Sequence, residues 1–310
     1  MKLKPLQSTR AIAPASVANV AVGFDILGFA CDILRDEVML TRRSDNKFIV
    51  HSKTPLPLDT DQNTASVALQ HACQTHGIDV GFDIHITKGI PLSSGLGGSA
   101  ASAVAALVAL NELLATPLEL DILTQSAIIG EIAASGEPHG DNVIPCLYGG
   151  LTLIHSLTPV QVTRLPTPDI FCVIIHPDLV VRTAEARAAL NKHLPLKQYI
   201  QQSSNLANFI SSLYRNDLKL LHDSANDVVI EPQRAKFIKN FYPVKNAALS
   251  NNALCCSISG SGPTLFALTE NETVANTVKD AMLKCFHQAN IKATGWVRPF
   301  NSTGARSIPL

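Results

Sequence analysis

Phe82, Ile84 and Ile86 alternate with Asp83, His85 and Thr87, the two-residue period of a strand with one face in a core and the other in water. Gly89-Ile90-Pro91 ends that strand. From Ser99 to about Ala115 the chain is apolar almost all round, with Val104, Ala105, Leu107, Val108, Leu110, Leu113 and Leu114 leaving little polar face. Such a helix belongs in the centre of a domain. Pro117 lies just beyond it and opens another helical stretch, and Gly149-Gly150 leads into a short strand from Leu151 to Ile154. Pro159, Pro166 and Pro168 mark a connector, which places a domain boundary between residues 165 and 166. Beyond it, Phe171 to Ile175 reads as a buried strand, and polar helical segments run from about Ala184 to Asp223. A further helix starts at Glu231, where Pro232 suits the first turn. Leu254 to Ile258 and Leu265 to Leu268 read as strands around Ser259-Gly260-Ser261-Gly262-Pro263, followed by a helix near Val274 to His287 and a strand near Ala293 to Val297. Both periods occur in this half, so the expected class is α+β, with domains at 1–165 and 166–310.

Composition narrows the functional classes. At 310 residues the chain exceeds one typical core, and 46% hydrophobic residues can fill two closely packed ones. The 25 basic residues balance the 25 acidic ones, and aromatics are only 5%. This argues against a nucleic-acid partner or an anionic membrane surface. Seven cysteines without a Cys-x-x-Cys pair suggest buried thiols in a reducing compartment. Met1 to Arg10 has no apolar core of signal-peptide type, and no uncharged apolar run is long enough to span a bilayer. A cytoplasmic protein without a membrane partner is expected.

The chemistry concentrates in Pro91-Leu92-Ser93-Ser94-Gly95-Leu96-Gly97-Gly98-Ser99-Ala100-Ala101-Ser102, a glycine- and serine-rich loop running into the alanine-rich helix. Glycines let backbone N–H groups converge, and the helix start adds unpaired N–H groups and a positive dipole end. Together these suit a multiply charged anion such as phosphate. No Lys-Ser or Lys-Thr pair follows, so this is not a Walker loop. Gly95 to Ala100 also fits a loose dinucleotide fingerprint, but that reading needs an acidic residue ending a second strand about twenty residues on. Asn111 to Asp121 reads instead as a helix end and loop.

Two further segments carry small and polar residues together. Ala13-Pro14-Ala15-Ser16-Val17-Ala18-Asn19-Val20-Ala21-Val22-Gly23-Phe24-Asp25 sets Asn19 and Asp25 six apart among apolar neighbours, and a strand and turn capped by Asn and Asp would account for it. Ser257-Ile258-Ser259-Gly260-Ser261-Gly262-Pro263-Thr264 would be explained by a hairpin turn. In this order, over nearly the whole chain, the three segments resemble the three motifs of the GHMP kinases. That family's loop reads Pro, three residues, then Gly-Leu-Gly-Ser-Ser-Ala; here Gly98 stands for its first serine and Ser99 keeps the second. The first motif lacks the Gly-Arg pair of the galactose and mevalonate members and is similar to that of the members acting on L-homoserine. Gly130-Glu131, Gly136 to Asn142, Arg182 to Arg187, Glu231 to Arg234 and Gly304-Ala305-Arg306 add to the same resemblance.

The resemblance implies a two-domain fold, with an N-terminal half like ribosomal protein S5 domain 2 and a C-terminal ferredoxin-like α/β sandwich. It implies phosphorylation of the L-homoserine hydroxyl by ATP, a step toward threonine, and a possible homodimer. ATP would be held by Pro91, Leu92, Ser93, Ser94, Gly95, Leu96, Gly97, Gly98, Ser99, Ala100 and Ala101. Lys88 would add a point charge, unless it is a surface lysine, and Asn63 would stand in the adenine loop. Mg²⁺ would sit on Ser99 and Glu131, the hard oxygen donors it prefers. Asn19 and Asp25 would accept from the substrate ammonium. Arg187 and Arg234 would take its carboxylate, with His139 and Asn142 completing the pocket. The acceptor of the hydroxyl proton stays open between the phosphate itself and Asp141, for which a turn or helix-capping role competes.

Overall fold

The computed structural model describes residues 1–191 and 193–310, with the backbone alone at 134 and 135. The N-terminal half comprises β1 (Ser8–Ala18), β2 (Leu27–Arg43), β3 (Phe48–Ser52), α1 (Thr64–His76), β4 (Gly81–Thr87), α2 (Gly98–Leu113), α3 (Leu120–Ser135), α4 (Val143–Tyr148), β5 (Leu151–Leu157) and β6 (Val160–Leu165). After these come β7 (Phe171–Pro177), α5 (Thr183–Ala188), α6 (Leu196–Arg215), α7 (Leu218–Ser224), α8 (Glu231–Arg234), α9 (Phe241–Ser250), β8 (Cys255–Ile258), β9 (Leu265–Thr269), α10 (Glu272–Gln288), β10 (Ala293–Pro299) and β11 (Arg306–Ile308).

The first sheet has seven strands in the order β11-β1-β2-β4-β3, with β5 added to the start of β2 and β6 to β5. Only β3 and β4 pair in parallel among the described strands. Phe82, Ile84 and Ile86 face the core, as their alternation requires. Against this sheet lies α2, buried along its length among α1, α3 and α4, which is why its sequence has no polar face. The connector expected after Pro159 is shorter than its prolines suggest, because residues 160–165 form β6 on the free side of β5. An edge strand tolerates flanking prolines, since half of its backbone groups need no partner.

The second sheet is antiparallel in the order β10-β7-β9-β8. Its central strands read as unbroken apolar runs because both faces are buried. Cys172, Ile174, Phe266 and Leu268 enter the core shared with the first half. Val173, Ile175, Leu265 and Ala267 enter a second core under α9 and α10. Phe29 of β2 meets Phe266 edge-on at 5.8 Å and Phe300 at 4.8 Å, which fastens one sheet against the other. The last strand, β11, crosses back to pair with β1. Just before it, Gly304 passes so close to α4 that a Cβ would lie 2.3 Å from the Leu147 carbonyl oxygen. Gly304-Ala305-Arg306 therefore closes the fold and stays out of the cleft described below. No helix among the described residues is long and apolar enough to cross a membrane.

Candidate active site

The glycine loop joins β4 to α2, and the two other motifs converge on it. Ser93, Gly95 and Gly97 have φ of 54°, 78° and 66°, the left-handed region that tolerates few side chains. A Cβ on Gly95 would lie 2.6 Å from the Ser259 carbonyl oxygen, and one on Gly97 only 2.1 Å from Ser16 Oγ. The Ser259 hydroxyl donates to the Gly95 carbonyl at 2.6 Å, and the Ser16 N–H donates to that of Leu96 at 3.1 Å. So the glycines are required by the first and third motifs pressing on the loop from either side. No side chain caps α2 at Gly97, which leaves its first-turn N–H groups for a ligand.

The loop floors a cleft of about 710 Å³. One part of the lining is apolar, from Pro55, Leu56, Pro57, Ile86 and Leu92, and suits a flat base. None of these five but Pro91's neighbour Leu92 was marked by the motifs, because loop prolines and leucines carry no pattern of their own. Asn63 stands in this part as the N-cap of α1: its Oδ1 accepts from the N–H groups of Ala65 and Ser66, and its Nδ2 donates to the Pro57 carbonyl at 2.8 Å. Its Oδ1 thus serves the helix start and one of its two Nδ2 hydrogens the loop, so Asn63 shapes this wall. Asn63→Ala should cost about 1 kcal/mol of stability through the lost cap, read as a lower melting temperature. Lys88 is buried beneath the loop and paired with Asp36, so it is no surface lysine.

Two buried acids lie past the loop. Ser99 Oγ donates to Glu131 Oε2 at 3.0 Å. Burial pushes the Glu131 carboxyl up to about 7, with the Asp141 charge adding to the effect. Asp141 is also raised to about 7, by burial first and then by Asp25. The N-cap of α4 is Asn142, without a side-chain cap bond; Asp141 stands in the turn just before it, with a backbone hydrogen bond on its carboxyl, and lines the cleft. The desolvated Glu131 carboxyl and the Ser99 hydroxyl bonded to it are a pair of hard oxygen donors, which fits a magnesium ion.

The remaining lining holds the residues expected to meet an amino acid. Asp25 takes a two-pronged pair from Arg187, with Nη2 to Oδ1 at 2.8 Å and Nη1 to Oδ2 at 3.1 Å. Arg187 Nη2 also lies 3.3 Å from His139 Nδ1, and burial lowers the His139 pKa, with the Arg187 charge second. Asn19 holds the site together from below. Its Nδ2 donates to the Gly260 carbonyl at 2.9 Å and its Oδ1 accepts from the Asp25 N–H at 3.1 Å. Asn19, Val20, Ala21 and Asp25 all have positive φ, a costly backbone for non-glycine residues that is retained where it aims functional groups. Asn142 Oδ1 accepts from the Ser16 hydroxyl at 2.9 Å and borders the cleft.

Arg234 differs from Arg187 in how it is satisfied. It is 4% exposed, donates to the Gly260 carbonyl from Nη1 at 2.9 Å, and its Nε meets no hydrogen-bond partner among the described residues. Burial lowers its pKa, and the neighbouring Arg187 charge lowers it further. Both guanidinium groups lie over the Phe24 ring, at 5.3 Å and 4.9 Å from its centroid. Phe24 escaped the sequence reading, although it stands between Gly23 and Asp25 of the first motif. Thr183 and Ser261, whose hydroxyls pair at 3.1 Å at the cleft wall, were also missed.

A mixed-sheet domain and a ferredoxin-like sandwich, with three loops meeting at an anion cradle beside buried acids, define a small-molecule kinase. The family model for the GHMP kinases N terminal domain matches residues 63–150, and that for GHMP kinases C terminal matches residues 209–288. The chain is 42% identical to homoserine kinase of Xanthomonas campestris pv. campestris, covering 98% of this chain and 95% of that one. It is 39% identical to homoserine kinase of Chlorobium phaeobacteroides, covering 98% and 100%. Its fold superposes on the crystal structure of homoserine kinase from Cytophaga hutchinsonii with a TM-score of 0.95, at 41% identity over 99% of both chains. The chain belongs to the GHMP kinase family and, within it, to the homoserine kinases.

Proposed function

We propose that the protein transfers the γ-phosphoryl group of ATP to the side-chain hydroxyl of L-homoserine, giving O-phospho-L-homoserine and ADP. The observation that carries the substrate is the pair of guanidinium groups over Phe24: Arg187, half-buried and matched by Asp25, and Arg234, almost wholly buried and without a carboxylate partner of its own among the described residues. An α-amino acid brings a carboxylate for Arg234 and an ammonium for Asp25. A sugar or a hydroxy acid brings at most one of these.

Phosphoryl transfer asks the protein to position the reactants and to neutralise charge. The ATP triphosphate rests on N–H groups of the loop between Leu92 and Ala100, at the start of α2, with the base among Pro55, Leu56, Pro57 and Ile86. Ser99 and Glu131 would hold magnesium, which when bound neutralises charge on the phosphates. Arg234 fixes the substrate carboxylate, and Asp25, oriented by Asn19 and Arg187, receives the ammonium. That leaves the hydroxyl end directed toward Asp141 and the loop. A carboxyl near 7 is matched to taking a proton at neutral pH, so Asp141 serves as the proton acceptor in this reading.

The test is ADP release with each candidate alcohol at equal concentration. L-Homoserine should give kcat/KM at least about 100-fold above mevalonate and galactose, because a pocket built for charged groups pays heavily when they are left unpaired. Comparable rates with either substrate lacking the amino-acid moiety would overturn the assignment.

A further inference from the structure

Asp36 of β2 is fully buried, and Lys88, just after β4, has a side chain only 5% exposed; the two form an ion pair inside the protein. Such a pair survives only where every remaining donor and acceptor is satisfied locally. Here they are. An ammonium has three protons. Lys88 Nζ reaches Asp36 Oδ2, the Gly98 carbonyl at 2.6 Å and Ser102 Oγ at 3.1 Å. Asp36 Oδ2 also accepts from the Ser102 hydroxyl at 2.8 Å, and its Oδ1 accepts from the N–H groups of Gly89 and Ile90, both at 3.1 Å. One carboxylate and one ammonium thus tie together the strand end, the segment entering the glycine loop and the first turn of α2. A Cβ on Gly98 would lie 3.2 Å from Lys88 Nζ and 3.2 Å from Ile90 Cγ2. The absence of a side chain there eases the approach of the ammonium to the Gly98 carbonyl.

We infer that Asp36 and Lys88 are a positioning pair for the phosphate loop, and that Lys88 acts through the Gly98 carbonyl and makes no direct contact with phosphate. The peptide unit is planar, so fixing the Gly98 carbonyl also fixes the Ser99 N–H on its opposite edge. That N–H belongs to the uncapped first turn of α2, where the triphosphate would lie. The inference rests on the reading of this loop as the ATP site.

The experiment measures ATP and adenosine binding by calorimetry, and KM for both substrates, in the full-length enzyme and in Asp36→Asn, Lys88→Gln and the double variant. Both single variants should weaken ATP by about tenfold, leave adenosine and the homoserine KM unchanged, and combine to no more than either alone, as coupled groups do. A direct phosphate contact makes the opposite forecast for Asp36→Asn: the released ammonium would hold or tighten ATP, while Lys88→Gln alone would lose it. That result overturns the inference, and so does ATP affinity unchanged in both single variants. Should the buried substitutions prevent folding, Ser102→Ala removes one strut and keeps the charges. It should raise the ATP KM by about threefold without moving that of homoserine, and an unmoved ATP KM there also overturns the inference. Failure of the unaltered enzyme to bind ATP would instead remove the assignment of the loop itself.

Discussion

Replacing Arg234 by alanine should raise the KM for L-homoserine by about 30-fold or more and leave the ATP KM within about twofold. The size follows from how the side chain is held in the pocket. Arg234 is almost wholly buried, gives one hydrogen bond to the Gly260 carbonyl, and keeps an Nε without a partner. A cation held at that cost is stabilised by the arrival of an anion, and truncating one member of such a buried pair costs about 2–5 kcal/mol. The carboxylate takes no part in the reaction, so the loss should fall on KM more than on kcat. Arg234→Lys should rescue poorly, because an ammonium cannot offer two parallel donors or lie flat over Phe24. Arg187→Ala should act differently, since its fork already holds Asp25, and its loss releases that carboxylate as well. Steady-state kinetics in both substrates decides the matter. Weakened ATP with intact homoserine binding in Arg234→Ala would move this residue to the nucleotide side of the cleft.

The second large effect is expected at Glu131. Glu131→Gln keeps the shape of the side chain and an oxygen to accept from Ser99, so the melting temperature should change little. It removes the charge that a magnesium ion needs. Loss of a metal ligand forfeits several kcal/mol of charge stabilisation, so kcat/KM should fall by about 100-fold or more. A readout independent of turnover is available. Magnesium should strengthen ATP binding to the unaltered enzyme and do so far less in Glu131→Gln. Near-normal turnover at ordinary magnesium would remove Glu131 from the ligand set.

Much of this was legible along the chain. The alternation from Phe82 to Ile86, the all-apolar α2 and the strands around Ser259 to Pro263 are local patterns, and local patterns report burial directly. The glycine loop is legible for the same reason, since adjacent residues supply its N–H groups. β2 is a different case. Its middle, Asp32-Ile33-Leu34-Arg35-Asp36-Glu37, has the charge of a surface turn, yet the strand runs on through a register shift opposite Pro14 and Ala15. Nothing near Asp36 in sequence says that it is buried, because its partner Lys88 is 52 residues away.

The sequence by itself determined the residue types of the site: a cradle of backbone N–H groups, a hydroxyl and carboxylate for a hard cation, and two arginines with an aspartate for a zwitterion. Only the tertiary structure decided which of them remain available to a ligand. Arg187 is bound to Asp25 across 162 residues, Asn63 is absorbed as a helix cap, Lys88 is locked beneath the loop, and Arg234 is left with an unpartnered donor. The physical reason is that a side chain's charge and donor count are fixed by its chemistry, whereas its unsatisfied capacity depends on which neighbours long-range packing delivers.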